Sequence, residues 1–228
     1  MNADTYVIIP VYNEGQVIEA VAKKVLKKFK NVVCVNDGSR DDSALAIERS
    51  GAKLVSHPVN LGQGGALQTG IEFALLDPNA KYFVTFDADG QHGLDDVETM
   101  LAYARKHPDV DAVLGSRFLG KAENITPLKK LTLKAAVLFS NMTTGLQLTD
   151  AHNGLRVFNR RVAEALDITM SDMAHASEII HRIAEHKFVY KEMPVTIVYT
   201  DYSRAKGQSI MNAINITFDL FLQRLTKK

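Results

Sequence analysis

Short β-rich runs alternating with stretches of helical spacing predict an α/β fold for this chain of 228 residues, with a central, mostly parallel sheet flanked by helices. Two further observations support that class. The apolar run FVTF at 83–86 reads as a buried strand and stops abruptly at Asp87. Polar residues gather where the other strand-like runs end, as they do at the carboxyl edge of an open parallel sheet, where ligands bind. With 46% hydrophobic residues the chain can bury a substantial core, and one domain over 1–228 is expected.

The elements follow in order. Residues 6–10 form a short strand, 14–29 have helical spacing, 32–36 are again strand-like and 41–49 again helical. A strand at 53–56, a helix at 64–76, a strand at 82–86, a helix at 95–106 and a strand at 110–115 continue the pattern. Asp95 and Asp96 suit a helix start, where negative charge is favoured. Beyond 115 the regularity fades: 121–126 read as a polar loop, Pro127 opens a helix to 144, and TDAHNG at 149–154 is a turn-rich break. Helices at 161–166 and 175–186 and an extended stretch at 188–199 come next. Ile210, Ile214, Phe218, Phe221 and Leu225 recur at intervals of four, four, three and four, the mark of an amphipathic helix over 208–224.

Charge and composition exclude several classes. A formal net charge of +1 gives no electrostatic footprint for nucleic acid. The single cysteine, Cys34, excludes an intrachain disulfide, and its setting in VVCV predicts a buried, inert thiol in a reducing compartment. The start MNADTYVIIP lacks the features of a signal peptide, and no run reaches the ~18 apolar residues of a spanning helix. A cytoplasmic chain that does not cross a bilayer is expected.

The chemistry concentrates at Asp87 and Asp89. Alternation along an extended chain sends both carboxylates to one side, an expensive arrangement unless a cation stands between them. A D-x-D pair at a strand end can hold Mg²⁺ or Mn²⁺ and bridge it to substrate phosphates; the alternative is a solvated turn that caps the next helix. The glycines at 62–65 lie before a helix whose N-terminus favours an anion, or they serve close packing of helix on sheet. They form neither a P-loop nor a dinucleotide fingerprint. Asp37 is either an acceptor for the imino hydrogen of a nucleobase or a turn residue in NDGS.

Six stretches taken together carry a resemblance: VIIPVYNE at 7–14, VNDGSRDDS at 35–43, NLGQGGALQTG at 60–70, FDADGQH at 86–92, GSRF at 115–118 and TDAHNGLRV at 149–157. In this order they resemble the family-2 glycosyltransferases, within them the branch of dolichyl- and polyprenyl-phosphate mannose or glucose synthases, without the transmembrane helices of many relatives. The resemblance implies a GT-A fold, with a nucleotide-sugar-binding part at 1–118 and an acceptor-binding part at 119–228. It also implies an inverting, metal-dependent transfer from a nucleoside-diphosphate sugar to a polyprenyl phosphate or lipid-linked saccharide, in cell-envelope glycan synthesis. The chain would then work in the cytoplasm, peripheral at the inner face of the membrane.

The same resemblance assigns roles. Pro10, Tyr12, Glu14, Asp37, Gly62, Gln63, Asp87, Ala88 and Asp89 are expected to bind the nucleotide sugar, with Asp87 and Asp89 also the metal ligands and Asp89 in the catalytic set. Gln63 stands where many relatives have lysine. Asp150 is the candidate base for a hydroxyl acceptor or an orienting group for an acceptor that is already an anion, with Glu178 the runner-up base. His152 and His175 are read as polar loop or cap residues. Gln91, Arg117, Lys130, Lys134 and Arg156 are expected on the acceptor side; Lys130 and Lys134, four apart, share a helix face that is otherwise a solvated one. Arg204 and Lys206 fall in a segment that resembles a loop closing on the diphosphate. The terminal helix either lies on the bilayer or docks on a small membrane-protein partner, or it packs on its own domain; an oligomer is compatible with all three. A soluble or protein-linked hydroxyl acceptor is the nearest alternative. A sugar nucleotidyltransferase would normally carry a glycine-rich loop where PVYNEG stands, and a silent nucleotide-binding module would lack the D-x-D or Asp150.

Overall fold

The structure is a computed structural model that describes residues 2–171 and 174–199. Its elements are β1 (Thr5–Val11), α1 (Ile18–Leu26), β2 (Asn31–Asp37), α2 (Ser43–Ser50), β3 (Lys53–His57), α3 (Gly62–Leu75) and β4 (Tyr82–Thr85). They continue as α4 (Leu94–Lys106), β5 (Ala112–Glu123), α5 (Pro127–Thr144), β6 (Arg156–Asn159), α6 (Arg160–Ala165), α7 (Ala174–Glu185) and β7 (Tyr190–Val198).

Among the described residues, all seven strands join one sheet in the order β3-β2-β1-β4-β6-β5-β7. Every residue of β1 is buried, because side chains alternate between two covered faces. Val7, Ile9 and Val11 join Ile18, Val25, Ile47, Met100 and Leu101 under α1, α2 and α4. Tyr6 and Ile8 join Ala66, Ile71, Val162, Ile179 and Ile183 under α3, α6 and α7. From β1 the chain passes to β2 on one side, while β4 adds on the other, both parallel to it. The order therefore reverses between β1 and β4, which opens a crevice at their carboxyl ends. Cys34 is buried in this core, and burial pushes its thiol up to about 12, so it is no nucleophile at neutral pH.

Several boundaries differ from expectation. The first helix starts at Ile18 rather than 14, since Asn13 has φ 52° and backbone donors of 13–15 bond to the side chains of Ser39, Ser43 and Asp41. The glycines at 62–65 form the first turn of α3 instead of preceding it. A Cβ on Gly64 would fall 2.0 Å from the Met170 carbonyl oxygen, so close packing is what that glycine serves. The strand β5 runs on to Glu123 through much of the expected polar loop, pairing with β7 across a register shift between Ser116 and Lys121. The strand β6 was not anticipated. It lies antiparallel between β4 and β5. The helix at 208–224 and the segment holding Arg204 and Lys206 lie outside the described residues. Among the described residues no helix is long and apolar enough to cross a membrane.

Candidate functional site

The crevice is an open cleft of about 460 Å³. Three strand ends and the loops after them furnish part of the lining: Pro10 near the end of β1 with Tyr12 and Glu14 after it, Asp37 at the end of β2, and Asp87, Ala88, Asp89 and Gln91 after β4. Gly62 and Gln63 enter from α3. The rest of the lining comes from the second half of the chain, with Arg117, Lys129, Leu133, His152, Gly154, Arg156, His175 and Tyr199.

The two carboxylates after β4 have different surroundings. Asp87 accepts from Gln63 Nε2 at 3.2 Å and from His92 Nε2 at 2.8 Å. Burial works to raise its pKa, but the His92 bond and the charges of His92, His175 and Arg156 outweigh burial and hold it below the usual carboxylate range. Asp89 accepts from the backbone and side-chain amides of Gln91. Burial, then the charge of Asp87, lifts it above that range. The pair thus repels itself at close quarters, a conflict that a shared cation removes. Among the described residues no group of three His, Cys, Asp or Glu side chains is placed to hold a metal. Two carboxylates short of a full cage fit a hard divalent ion, which prefers oxygen ligands and keeps positions open for others.

Glycine is needed beside Asp87. A Cβ on Gly154 would stand 2.2 Å from Asp87 Oδ2, and the Gly154 carbonyl accepts from Thr85 Oγ1 at 2.6 Å. The loop before β6 therefore abuts the end of β4 with no room for a side chain.

Asp37 does more than expected of a turn residue. Its Oδ1 accepts from Leu61 N and His57 Nδ1, both at 2.8 Å, and its Oδ2 from Gly62 N at 2.9 Å. It caps the entry to α3, and these three bonds leave one of the roughly four acceptor directions of a carboxylate. His57, which sequence reasoning passed over, bonds Thr69 Oγ1 at 2.9 Å through its other nitrogen. Nothing in the short run KLVSH marked that residue out.

On the acceptor side Asp150 does not line the cleft. It is 3% exposed, and its Oδ2 accepts from Arg117 Nε at 2.6 Å and Arg117 N at 3.0 Å. Arg117 also donates to Tyr199 Oη at 2.7 Å and to the His152 carbonyl at 2.9 Å. Burial opposes the arginine's charge, yet Asp150 and Tyr199 more than offset it. A carboxylate so engaged cannot reach a substrate hydroxyl, so the general-base alternative for Asp150 is corrected. Glu178 is corrected too: it is buried and bonds Thr169 N, Thr169 Oγ1 and Met170 N, fastening the loop before α7.

Lys130 and Lys134 are exposed and line no part of the cleft, a further correction; among the described residues the lysine that does is Lys129. Its Nζ lies 4.4 Å from the centroid of the Tyr199 ring. Burial, and secondarily Arg117, lower its pKa against a weaker pull from Asp89. Arg156, on β6, is 2% exposed and donates to the Ala151 carbonyl at 3.3 Å; burial pushes it down to about 10, with Asp87 and Asp150 opposing. His152 is pushed down to about 4 by burial, so it enters the cleft wall as a neutral ring bonded to Ser177 Oγ at 3.2 Å. Gln91, expected on the acceptor side, turns its amide to Asp89.

The sequence model described as "Glycosyl transferase family 2" matches residues 6–167. An uncharacterized protein of Methanocaldococcus jannaschii is 33% identical over 97% of this chain and 93% of its own. A UDP-N-acetylglucosamine–dolichyl-phosphate N-acetylglucosaminyltransferase of Methanococcus voltae is 28% identical, over 97% and 96%. A polyprenol monophosphomannose synthase of Mycolicibacterium smegmatis is 28% identical, over 95% and 84%. Among solved structures, glucosyl-3-phosphoglycerate synthase of Mycobacterium tuberculosis in complex with Mn²⁺ and uridine-diphosphate-glucose has a TM-score of 0.70 at 15% identity, covering 99% of this chain and 79% of that one. The fold is thus of the GT-A type, and the chain belongs to the family-2 glycosyltransferases.

Proposed function

We propose that this glycosyltransferase moves a hexosyl group, with inversion, from a nucleoside-diphosphate sugar to a polyprenyl phosphate at the inner face of the membrane. The observation that carries the reading is one cleft lined both by an acidic pair, Asp87 and Asp89, and by a basic group, Arg117, Lys129 and Arg156. The names of two relatives, which specify dolichyl phosphate and polyprenol monophosphomannose, support the same acceptor class. Asp37 meets the base, and Pro10, Tyr12 and Glu14 flank the nucleoside. Asp87 and Asp89 are the residues that would hold Mg²⁺ or Mn²⁺. That ion supplies charge stabilisation for the departing nucleoside diphosphate. Arg117 and Lys129 hold the acceptor phosphate, and Asp150 keeps Arg117 in place.

The step balances without a protein base. An oxygen of the acceptor phosphate bonds to the anomeric carbon as the bond from that carbon to the diphosphate breaks, and the electron pair leaves with the diphosphate. A phosphate is already an anionic nucleophile, which accords with Asp150 being engaged by Arg117. On this reading 1–118 serves the donor and 119–228 the acceptor.

The test is release of nucleoside diphosphate from a panel of UDP-, GDP- and dTDP-sugars with Mn²⁺, with and without polyprenyl phosphate. Release that rises only with polyprenyl phosphate, with a glycosylated lipid phosphate formed, is expected. Transfer to a soluble hydroxyl acceptor, and none to polyprenyl phosphate, would favour the hydroxyl-acceptor alternative.

A further inference from the structure

Tyr199, one residue past β7, joins two cations of the cleft. It is 4% exposed and still lines that cleft. Its backbone is pinned to the far end of β5, where its N–H donates to the Glu123 carbonyl at 3.3 Å. Arg117 Nη1 donates to its Oη at 2.7 Å, and Lys129 Nζ stands 4.4 Å from the centre of its ring. The tyrosine thus meets one cation with its oxygen and the other with its π face. Because the oxygen accepts from Arg117, the hydroxyl hydrogen turns elsewhere, and among the described residues nothing accepts it. Burial raises the phenol above its ordinary pKa against the pull of Arg117, so that hydrogen stays in place at neutral pH. The charge of Asp89 also reaches the phenol, which puts it on the side of the site nearest the acidic pair.

We infer that Tyr199 is a ligand of the acceptor phosphate: its hydroxyl, held by Arg117, donates to a non-bridging oxygen, and its ring keeps Lys129 beside the same anion. The donor inventory selects the ligand. Of the five N–H groups of the Arg117 guanidinium, Nε serves Asp150, one on Nη1 serves Tyr199 and one on Nη2 serves the His152 carbonyl, which leaves a pair unspent. The Lys129 ammonium and the Tyr199 hydroxyl add further donors to that pair. A phosphate monoester brings several acceptor oxygens and a charge to such a seat, whereas a neutral alcohol brings a single oxygen and leaves most of the donors unmet. The phenol adds a directed hydrogen bond without adding charge, so it fixes the orientation of the phosphate where the cations fix its affinity. The inference rests on the lipid-phosphate reading of the cleft.

The test is equilibrium binding of a short-chain, water-soluble polyprenyl phosphate, and of the corresponding free polyprenol, to the full chain as wild type, Tyr199→Phe and Tyr199→Leu. Affinities for UDP, GDP and dTDP with Mn²⁺ are measured alongside. Phenylalanine keeps the ring under Lys129 and removes the hydroxyl, so phosphate binding should weaken about tenfold or more, the worth of a hydrogen bond to a charged group. Polyprenol and nucleoside-diphosphate affinities should stay within about twofold. Leucine removes the ring as well and should weaken phosphate binding further; Tyr199→Phe, which preserves shape, is the deciding variant. Equal binding of polyprenyl phosphate by wild type and Tyr199→Phe overturns the inference alone. So does a loss of polyprenol or nucleoside-diphosphate binding in step with the phosphate, which marks a tyrosine that only supports the fold. A wild type that does not prefer the phosphate to the alcohol removes the acceptor reading, and the inference falls with it.

Discussion

Gly154→Ala isolates the contact between the two halves of the site. Gly154 is not among the glycines of positive φ, so alanine adds a methyl group without straining the backbone. That methyl would stand 2.2 Å from Asp87 Oδ2 and 2.6 Å from its Oδ1. Restoring ordinary carbon–oxygen contact requires the carboxylate to retreat by about 1 Å, the scale at which misplacement costs about a hundredfold in rate. The retreat also stretches the 2.8 Å bond from His92, which helps keep Asp87 ionised. We expect kcat/KM to fall about a hundredfold and the Mn²⁺ concentration for half-maximal activity to rise, with overpacking lowering stability by about 1–3 kcal/mol. The assay is nucleoside diphosphate release across a metal titration, with thermal unfolding alongside. A variant within threefold of wild type and with unchanged metal dependence would refute the idea that Gly154 sets the position of Asp87.

Other substitutions separate the remaining roles. Asp87→Ala/Asp89→Ala, or excess chelator on the wild type, should abolish transfer; turnover surviving in the double variant would sink the metal assignment. Asp150→Asn leaves buried Arg117 without its counter-charge, so stability should drop by about 3 kcal/mol and Tm by roughly 6–12 °C. Saturating lipid phosphate should nevertheless hold kcat within tenfold, whereas a collapse of kcat in a folded Asp150→Asn protein would restore the base role. Lys129→Ala should raise the acceptor KM about tenfold or more through loss of a charged hydrogen bond, while Lys130→Ala and Lys134→Ala on short-chain acceptor stay within twofold. The fold lowers the pKa of Lys129, so the cation is present at low pH and is lost as pH rises through a value below that of a free lysine. Acceptor affinity should therefore weaken on the alkaline side earlier than free lysine would predict, and Lys129→Arg should abolish that limb; a flat profile in the wild type would contradict it.

The parts of the fold written in long runs were legible. The buried strands β1, β2 and β4 are nearly uninterrupted apolar stretches, and Asp37, Asp87 and Asp89 stand where those stretches stop because a parallel sheet collects its loops at one edge. Shorter signals were not. β6 is four residues, RVFN, with a charge at one end and an amide at the other, and its partner β4 is 73 residues away along the pairing of Val84 with Val157. The phase of α5 was also hidden: lysines and leucines fall on more than one of its faces, so spacing alone could not tell that Lys129 rather than Lys130 meets the cleft. Asp150 and Arg117 are 33 positions apart, and only the pairing of β5 with β6 brings them together.

The interior place of β6 also bears on how the chain is made. It is the last of the three central strands to be synthesised, yet it fills the gap between β4 and β5. Until about residue 159 has emerged, both of those strands present bare edges of the kind that pair promiscuously. Vectorial synthesis thus holds back the middle of the sheet, and closing that gap is the event that brings Gly154 against Asp87 and Arg117 against Asp150. The nascent protein therefore covers the facing edges of β4 and β5 and joins the two halves of the site in one event, before β7, His175 and Tyr199 complete the sheet edge and the cleft wall.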